Sequence, residues 1–328
     1  MKIKNNQTAF LGIDVAKKDV KVALKVGSDY VQNSFDNNAS GFKKCRKWLN
    51  QFGRPHQIHA CMEATGIHHL ALALDLNGYL KTVSVVNPRC PKAFADSQLR
   101  RSKGDSVDSR IIADFCEAIK PQAWIAPTQK ELEIKELARR VQGLTEMISA
   151  EKNRLKDAIC ENLTQSIERN IAFLQQEKAQ VSKLLISIIE ADPVLCSRME
   201  LIDSIPGVGK ATAAQLVAEL GNTDWCETAR DLAAFAGITP RHRQSGTSLN
   251  SKGKISKVGS SRLRAQLYMP ALVAIKHNPI MKAFANRLRE NGKSKKAVVV
   301  AVMRKLLHCV FGILKNQKPF NPNISCSI

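Results

Sequence analysis

Hydrophobic and polar positions in the first third of the chain predict a mixture of strands and helices. Residues 8–26 hold two apolar segments joined by a short polar link, which is typical of two adjacent strands of a central sheet. A third strand is expected at 30–35, and GFKKCRKWLNQF has helical spacing. QIHACME, HHLALALDLNGY and KTVSVVN then predict a strand, a helix and a strand. The first domain is therefore predicted to be α/β.

The end of this domain is predicted to be a basic loop followed by a helix. Asn87 and Pro88 end the last strand, and DSVDSRIIADFCEAIK then repeats its apolar positions at helical spacing. The predicted apolar stripe consists of Ile111, Ile112, Phe115 and Ile119.

The middle of the chain, from about 129 to 190, is rich in Lys, Glu, Gln, Leu and Ile and sparse in Gly. Its long helical periodicity predicts a helical hairpin or coiled coil, which would serve as a spacer or dimerisation arm. An ordinary pair of surface helices within one domain is the alternative.

The last third begins with LIDSIPGVGKATAAQLVAEL, in which two apolar helices flank a Pro-Gly-Val-Gly turn. This is a helix-hairpin-helix pattern, whose glycines let the turn approach a phosphate while backbone N–H groups and Lys210 meet its charge. Any tight turn between helices can use the same residues. The polar, basic stretch RHRQSGTSLNSKGKISKVGSSRLR follows, and three helical tracts close the second domain.

The charge of the chain indicates a polyanionic partner. Its 328 residues include 50 Lys and Arg against 29 Asp and Glu, a formal net charge of +21. The basic residues recur in clusters, which favours a nucleic-acid surface over a merely soluble basic protein. Aromatic residues make up 5% of the chain, which argues against base stacking as the main binding mode.

Membrane insertion, secretion and metal-thiolate chemistry are not indicated. We find no uninterrupted apolar stretch of membrane-spanning length, and MKIKNNQTAF lacks the apolar core of a signal peptide. The nine cysteines are scattered without a C-x-x-C pair, so most are expected to be inert core residues. The protein is therefore expected in the cytoplasm, associated with the nucleoid.

Two acidic residues stand at the ends of predicted strands, where a core position would ordinarily be hydrophobic. Asp14 lies in LGIDVA and Glu63 in IHACMEATG. Burying an unpaired carboxylate costs several kcal/mol, so a cation or a set of donors is expected to meet each one. Adjacent strands can bring both carboxylates to one edge of a sheet.

Asp105 and Asp108 are three positions apart, which on a helix places both on one face. Four converging carboxylates require metal, and their hard oxygen atoms suit Mg²⁺ in phosphoryl transfer. Each acid alone also has a structural explanation. Asp105 can cap a helix, Asp108 can interact with the helix dipole, and the strand-end acids can accept hydrogen bonds.

The order of strand-end Asp, strand-end Glu and helical D-x-x-D is similar to that of ribonuclease-H-like, RuvC-type nuclease domains. GIDVAKKDV, MEATG, VVNP, KGDSVDSR with IIADFC, SIPGVGKATA, FAGITPR and QSGTS together closely resemble the DEDD insertion-sequence transposases. These form the Piv/MooV-like family, also known as bridge-RNA-guided recombinases.

The resemblance implies three domains. They are a RuvC-like N-terminal domain at 1–125, a coiled-coil connector or dimerisation arm at 126–195 and a mainly helical transposase domain with helix-hairpin-helix at 196–328. It also implies that the family's four acids, which would bind Mg²⁺, correspond to Asp14, Glu63, Asp105 and Asp108.

The family's nucleophilic serine corresponds to Ser245 in RHRQSGTS, with Ser248 as a neighbouring decoy. Serine is a poor nucleophile unless a base, a metal or positive charge activates it. We therefore expect a composite site with the acids, and a covalent phosphoserine link to DNA. The residues expected to bind nucleic acid are Arg100, Arg101, Lys103, Lys210, Arg241, Arg243, Lys252 and Lys254.

The resemblance further implies donor and target DNA as substrates, guided by a structured bridge RNA encoded by the element. A homo-oligomer is expected, a dimer that assembles to a tetramer. Phosphates dominate affinity for both nucleic acids, so the basic charge is consistent with either.

Two alternatives differ in chemistry. A RuvC-like nuclease or resolvase would hydrolyse DNA with metal and water, and its cleavage would survive Ser245→Ala. A non-catalytic nucleic-acid-binding protein would bind without Mg²⁺ and cut nothing, but the complete set of four acids argues against it.

Overall fold

The computed structural model describes residues 2–4, 7–64, 66–98, 105–223, 226–241, 244–245, 249–250 and 254–322, and of these it describes only the backbone at 105–107, 241, 244–245, 249–250 and 254. The chain consists of two compact units, Met1–Ala126 and Pro127–Ile328.

The first unit contains a five-stranded sheet. Its strands are β1 (Ala9–Val15), β2 (Asp19–Val26), β3 (Asp29–Asp36), β4 (Ile58–Glu63) and β5 (Thr82–Val86). Their spatial order is β3-β2-β1-β4-β5. The first three strands pair antiparallel, whereas β1 with β4 and β4 with β5 pair parallel. The strands predicted from the apolar pattern are confirmed.

Four α-helices accompany this sheet. They are α1 (Ala39–Leu49), α2 (Leu70–Asn77), α3 (Arg89–Ser97) and α4 (Asp105–Ile119). The side chain of Asn38 accepts a hydrogen bond from the backbone N–H of Gly41 and so caps α1. The prediction of a basic loop after residue 88 was wrong over α3, where Phe94 packs against Phe115 of α4 with ring centroids 5.8 Å apart.

Alternate residues of β1 and β4 face opposite sides of the sheet. Leu11 and Ile13 belong to the main core, which α1 and α2 cover. Phe10 and Cys61 lie on the other side, against α4. The predicted apolar stripe of α4 is confirmed for Ile111, Ile112 and Phe115.

The stripe ends one turn earlier than the sequence predicted. Ile119 is 57% exposed at the last residue of α4, so it does not belong to the apolar face. The packing surface of α4 is therefore confined to the part of the helix that crosses the sheet.

A long antiparallel helical hairpin begins the second unit, as predicted. Its helices are α5 (Gln129–Asp157) and α6 (Glu161–Glu190). Thr128 and Glu131 form a reciprocal capping box at the start of α5. Ile134 and Ile189 join the main core of this unit, whereas the distal part of the hairpin has a separate small cluster that includes Leu144 and Leu174.

In the described part of the second unit, six further helices form its body. They are α7 (Pro193–Asp203), α8 (Lys210–Leu220), α9 (Ala229–Phe235), α10 (Ser261–His277), α11 (Pro279–Glu290) and α12 (Lys295–Asn316). In the polar stretch before α10, the described residues form four two-residue strands. They are β6 (Pro240–Arg241), β7 (Gln244–Ser245), β8 (Leu249–Asn250) and β9 (Lys254–Ile255).

The apolar helix α12 passes a length and composition test for a membrane span, although no uninterrupted apolar stretch was found in the sequence. More than half of its most apolar window, 56%, is buried inside the structure. Val302, Leu306 and Val310 are fully buried in the core of the second unit. These contacts explain its apolar composition as that of a core helix.

The cysteines mainly behave as predicted. The buried thiols are Cys45, Cys61, Cys116, Cys226 and Cys309. Cys90 and Cys160 are exposed, however, and Cys196 is half-buried. All eight cysteines of the described residues are free thiols.

Candidate active site

The two strand-end acids of the first unit lie side by side on neighbouring strands. In the parallel ladder of β1 and β4, Gly12 lies opposite Cys61 and Ile13 opposite Met62. The next position in the same register is Asp14 beside Glu63. Both carboxylates therefore lie at the carboxyl end of these strands, on the side of the sheet that α4 covers.

Gly12 lets α4 approach this side of the sheet closely. A Cβ atom at this position would overlap the carbonyl oxygen of Ser109 and the backbone nitrogen of Ala113. The backbone of α4 thus rests directly on β1, two residues before Asp14. Asp108 lies next to Ser109 along the helix, so the close approach brings it towards the strand-end acids.

The carboxylate of Glu63 lies within electrostatic range of two other carboxylates, those of Asp14 and Asp108. Glu63 is half-buried, and burial, together with the negative charges of Asp14 and Asp108, raises its pKa to about 7. A carboxylate whose pKa is raised in this way lacks a sufficient positive counter-charge. Asp14 itself has further interactions, and the Lys21 backbone lies opposite it on β2.

These acids fit a hard divalent cation. Within the described residues, no group of three or more His, Cys, Asp or Glu side chains is already placed to hold a metal ion. The side chain of Asp105, at the first residue of α4, lies outside the described part. Mg²⁺ usually takes only one or two protein carboxylates and completes its shell with water and substrate phosphate. Asp14 and Glu63 supply such a pair.

A buried ion network fixes α4 on the sheet. The Lys25 ammonium on β2 lies 2.6 Å from Asp114 and 2.7 Å from Glu117 of α4. The hydroxyl of Tyr30 on β3 donates to Asp114, and the Arg110 guanidinium lies 5.1 Å from the centroid of the Tyr30 ring. Burial alone would lower the pKa of Lys25, but its hydrogen bonds to Asp114, Glu117 and Tyr30 outweigh burial and raise it.

The stability of the metal-free protein should fall as the pH rises from 4.5, the ordinary pKa of a glutamate, to about 7. Within this window folded Glu63 retains a proton that the unfolded chain has released, so each rise in pH favours unfolding. Glu63→Gln should remove this part of the pH dependence. Urea unfolding in EDTA at several pH values measures it, with exposed Asp29→Asn as the control. Parallel pH profiles for wild type and Glu63→Gln would contradict the assignment.

The predicted Pro-Gly-Val-Gly turn joins α7 to α8. Gly207 has a φ of +103°, and a Cβ there would lie 2.7 Å from the Cα of Ala274 on α10, so this glycine permits packing within the unit. Gly209 faces open space. Lys210, the first residue of α8, forms a 2.6 Å ion pair with Glu190 of α6 at the surface.

The predicted serine segment is described only at the level of the backbone. Ser245 lies in β7 and pairs with Leu249 of β8. Arg241 of β6 pairs with Lys254 of β9. The remaining predicted contacts, Arg100, Arg101, Lys103, Arg243 and Lys252, lie outside the described residues.

Several residues that shape this site were missed by the sequence analysis. Gly12 carried a local signal, because a glycine inside an apolar strand often marks close approach of another backbone. Lys25 and Asp114 carried none, since they are separated by 89 positions.

Comparisons with known proteins identify the class of enzyme. A family model described as "Transposase", for DEDD transposases of the IS110 type, matches residues 11–182, and a second, "Transposase IS116/IS110/IS902 family", matches residues 199–286. The "Pilin gene-inverting protein" of Moraxella bovis is 29% identical over 96% of this chain and 98% of its own length. The "Transposase for insertion sequence element IS1328" of Yersinia enterocolitica is 23% identical over 80% of this chain and 83% of its own length.

These matches define the class of the protein as a transposase, an enzyme that cuts and rejoins DNA strands. Within that class, the chain belongs to the IS116/IS110/IS902 family of DEDD transposases.

Proposed function

We propose that this transposase cuts DNA by attack of the Ser245 hydroxyl on a phosphodiester, with Mg²⁺ held by Asp14, Glu63, Asp105 and Asp108. The single observation that carries the acidic half of the proposal is the shared strand-end register of Asp14 and Glu63 beneath α4. The effect of the Asp14 and Asp108 charges, which together with burial raise the pKa of Glu63, supports this half of the proposal.

The proposed covalent step conserves the energy of the phosphodiester. The oxygen of Ser245 forms a bond to phosphorus while the bond from phosphorus to one deoxyribose oxygen breaks. The serine proton passes to a base or to solvent, and the departing sugar oxygen takes up a proton. Attack of a new DNA hydroxyl on the phosphoserine then restores a phosphodiester and frees the serine.

Mg²⁺, when bound, would stabilise the negative charge that develops on the phosphate oxygens. The protein residues have separate roles. Asp14 and Glu63 would hold the cation at the end of β1 and β4, and α4 would present Asp108. The Lys25 network keeps α4 in position.

The finer features of the proposal concern partners and domains. Donor and target DNA, a structured bridge RNA, a dimer that forms a tetramer, and association with the nucleoid are proposed for this chain. Arg241, Arg243, Lys252 and Lys254 are proposed to bind the scissile phosphate. Arg100, Arg101, Lys103 and the Lys210 end of a helix-hairpin-helix would contact other phosphates. The division at 125/126 and 195/196 into RuvC-like domain, coiled-coil connector and transposase domain belongs to the same proposal.

A covalent protein–DNA adduct should form in wild type and disappear in Ser245→Ala and Asp14→Ala. Without the serine oxygen no phosphoserine can form, and without Asp14 the cation has lost a principal ligand. The full-length protein is incubated with Mg²⁺, RNA transcribed from the element ends, and labelled DNA carrying those ends. A denaturing gel then detects the adduct.

Ser248→Ala and Asp29→Asn are the matched controls and should retain the adduct. Strand cleavage that persists in Ser245→Ala, with no adduct in wild type, would replace the serine mechanism with hydrolysis by metal and water. Binding without cleavage under any condition would contradict the catalytic proposal as a whole.

A further inference from the structure

The second unit contains a cluster of basic side chains, formed by Lys135, Arg139 and Arg262, that the proposed function does not use. Lys135 and Arg139 are one helical turn apart on α5, while Ile134 and Ala138 of the same helix are buried in the core. Arg262 lies exposed in the first turn of α10. Helices α5 and α10 both pack against α8. Arg139 and Arg262 lie close enough to Lys135 for their charges to act on it.

The interior of this cluster contains polar atoms without hydrogen-bond partners. Glu219, next to the last residue of α8, is 5% exposed, and its Oε1 atom makes no hydrogen bond. The same holds for the buried Nε of Arg139 and for both amide atoms of Gln266 on α10. Of these atoms, the Nε of Arg139 and the Nε2 of Gln266 are donors, which cost free energy in a folded protein unless an acceptor meets them.

The charges of the cluster do not balance locally. Burial lowers the pKa of Lys135, the attraction of Glu219 opposes this effect, and the nearby Arg139 and Arg262 reinforce it. The three cations face two carboxylates, those of Glu219 and Glu131. An anion would therefore stabilise the charged form of Lys135.

We propose that Lys135, Arg139 and Arg262 bind backbone phosphates of duplex DNA. The planar guanidinium groups can contact phosphate oxygens through two hydrogen bonds each, and a partly buried setting strengthens such contacts. DNA is favoured as the ligand because Arg262 follows the Ser245 segment closely along the chain, seven residues after β9 ends. The choice of DNA as the ligand rests on the proposed role of that segment, whereas the binding itself requires no strand cleavage.

Arg139→Ala and Arg262→Ala should each weaken binding of duplex DNA about eightfold at 0.1 M salt. This is the effect expected when one phosphate contact and its released counterion are lost. The slope of log K against log salt should become shallower by about 0.9 in each single variant and by about 1.8 in the double variant. Fluorescence anisotropy with a labelled duplex, full-length protein and EDTA measures binding without cleavage.

Lys276→Ala is the matched control, because it removes an equally exposed charge from the other end of α10. It should leave the slope unchanged, and thermal unfolding should show that all variants remain folded. Unchanged slopes in both arginine variants would overturn the proposal. A loss confined to a single-stranded RNA probe, with duplex binding intact, would assign the cluster to RNA and also overturn it. The binding experiment is carried out in EDTA, where no strand is cut. A negative result for this cluster is therefore distinguishable from the absence of a covalent adduct in the experiment with Mg²⁺.

Discussion

Gly12→Ala should destabilise the protein by about 3 kcal/mol or more and reduce DNA cleavage at least tenfold. The new methyl group would collide with backbone atoms of Ser109 and Ala113, which cannot rotate away as a side chain could. Either α4 moves off β1 or the strand distorts two residues before Asp14. Urea unfolding gives the loss of stability, and the same gel assay gives the loss of cleavage.

Gly78→Ala is the matched control for this substitution. Gly78 lies in the same unit, has a helical backbone conformation, and a Cβ there would meet open space. It should change stability by no more than a few tenths of a kcal/mol, or raise it slightly. Wild-type stability in Gly12→Ala would mean that α4 does not rest on β1 as described.

Lys25→Met should cost about 3 kcal/mol of stability and lower cleavage, because it leaves the Asp114 carboxylate buried without its cation. The side chains of Lys25 and Asp114 are only 14% and 7% exposed, so water cannot easily replace the lost partner. A loosened α4 would no longer present Asp108 correctly. Urea unfolding and hydrogen exchange of α4 amides measure the two effects.

Lys44→Met removes an exposed lysine of the same unit and should be close to neutral. The double variant Lys25→Met with Asp114→Leu should recover part of the lost stability, since apolar groups can replace a buried ion pair. A double variant less stable than Lys25→Met alone would show that the ion pair is not the source of the penalty.

The apolar pattern predicted the sheet and the long hairpin because both follow simple periods over many residues. The apolar segments that form β1 and β4 were enough to place Asp14 and Glu63 at strand ends. The apolar pattern did not predict α3, because its sequence RCPKAFADS has few apolar residues. Tertiary contacts such as that between Phe94 and Phe115 hold this helix in place. The apolar pattern also extended the apolar face of α4 too far, to Ile119, because periodicity does not show where the supporting sheet ends.

The features that the sequence analysis missed are those that depend on residues distant in the chain. The ion pair of Lys25 with Asp114 and the basic cluster around Glu219 each join helices or strands far apart in the chain. Local patterns give every lysine and arginine of this basic sequence the same weight. Folding distinguishes them by burial and by the partners it supplies.

The length of the helical hairpin sets how far its tip extends from the body of the second unit. At 1.5 Å per residue, its two helices of 29 and 30 residues extend about 45 Å, and they are attached to the body of their unit through residues such as Ile134 and Ile189 near one end. The distal cluster that includes Leu144 and Leu174 is separate from that attachment. Matched insertions of seven residues in the distal parts of both helices would therefore lengthen the hairpin by about 10 Å without repacking the core below. Evolution can thus change the reach of the arm while the catalytic unit and the body of the second unit stay the same.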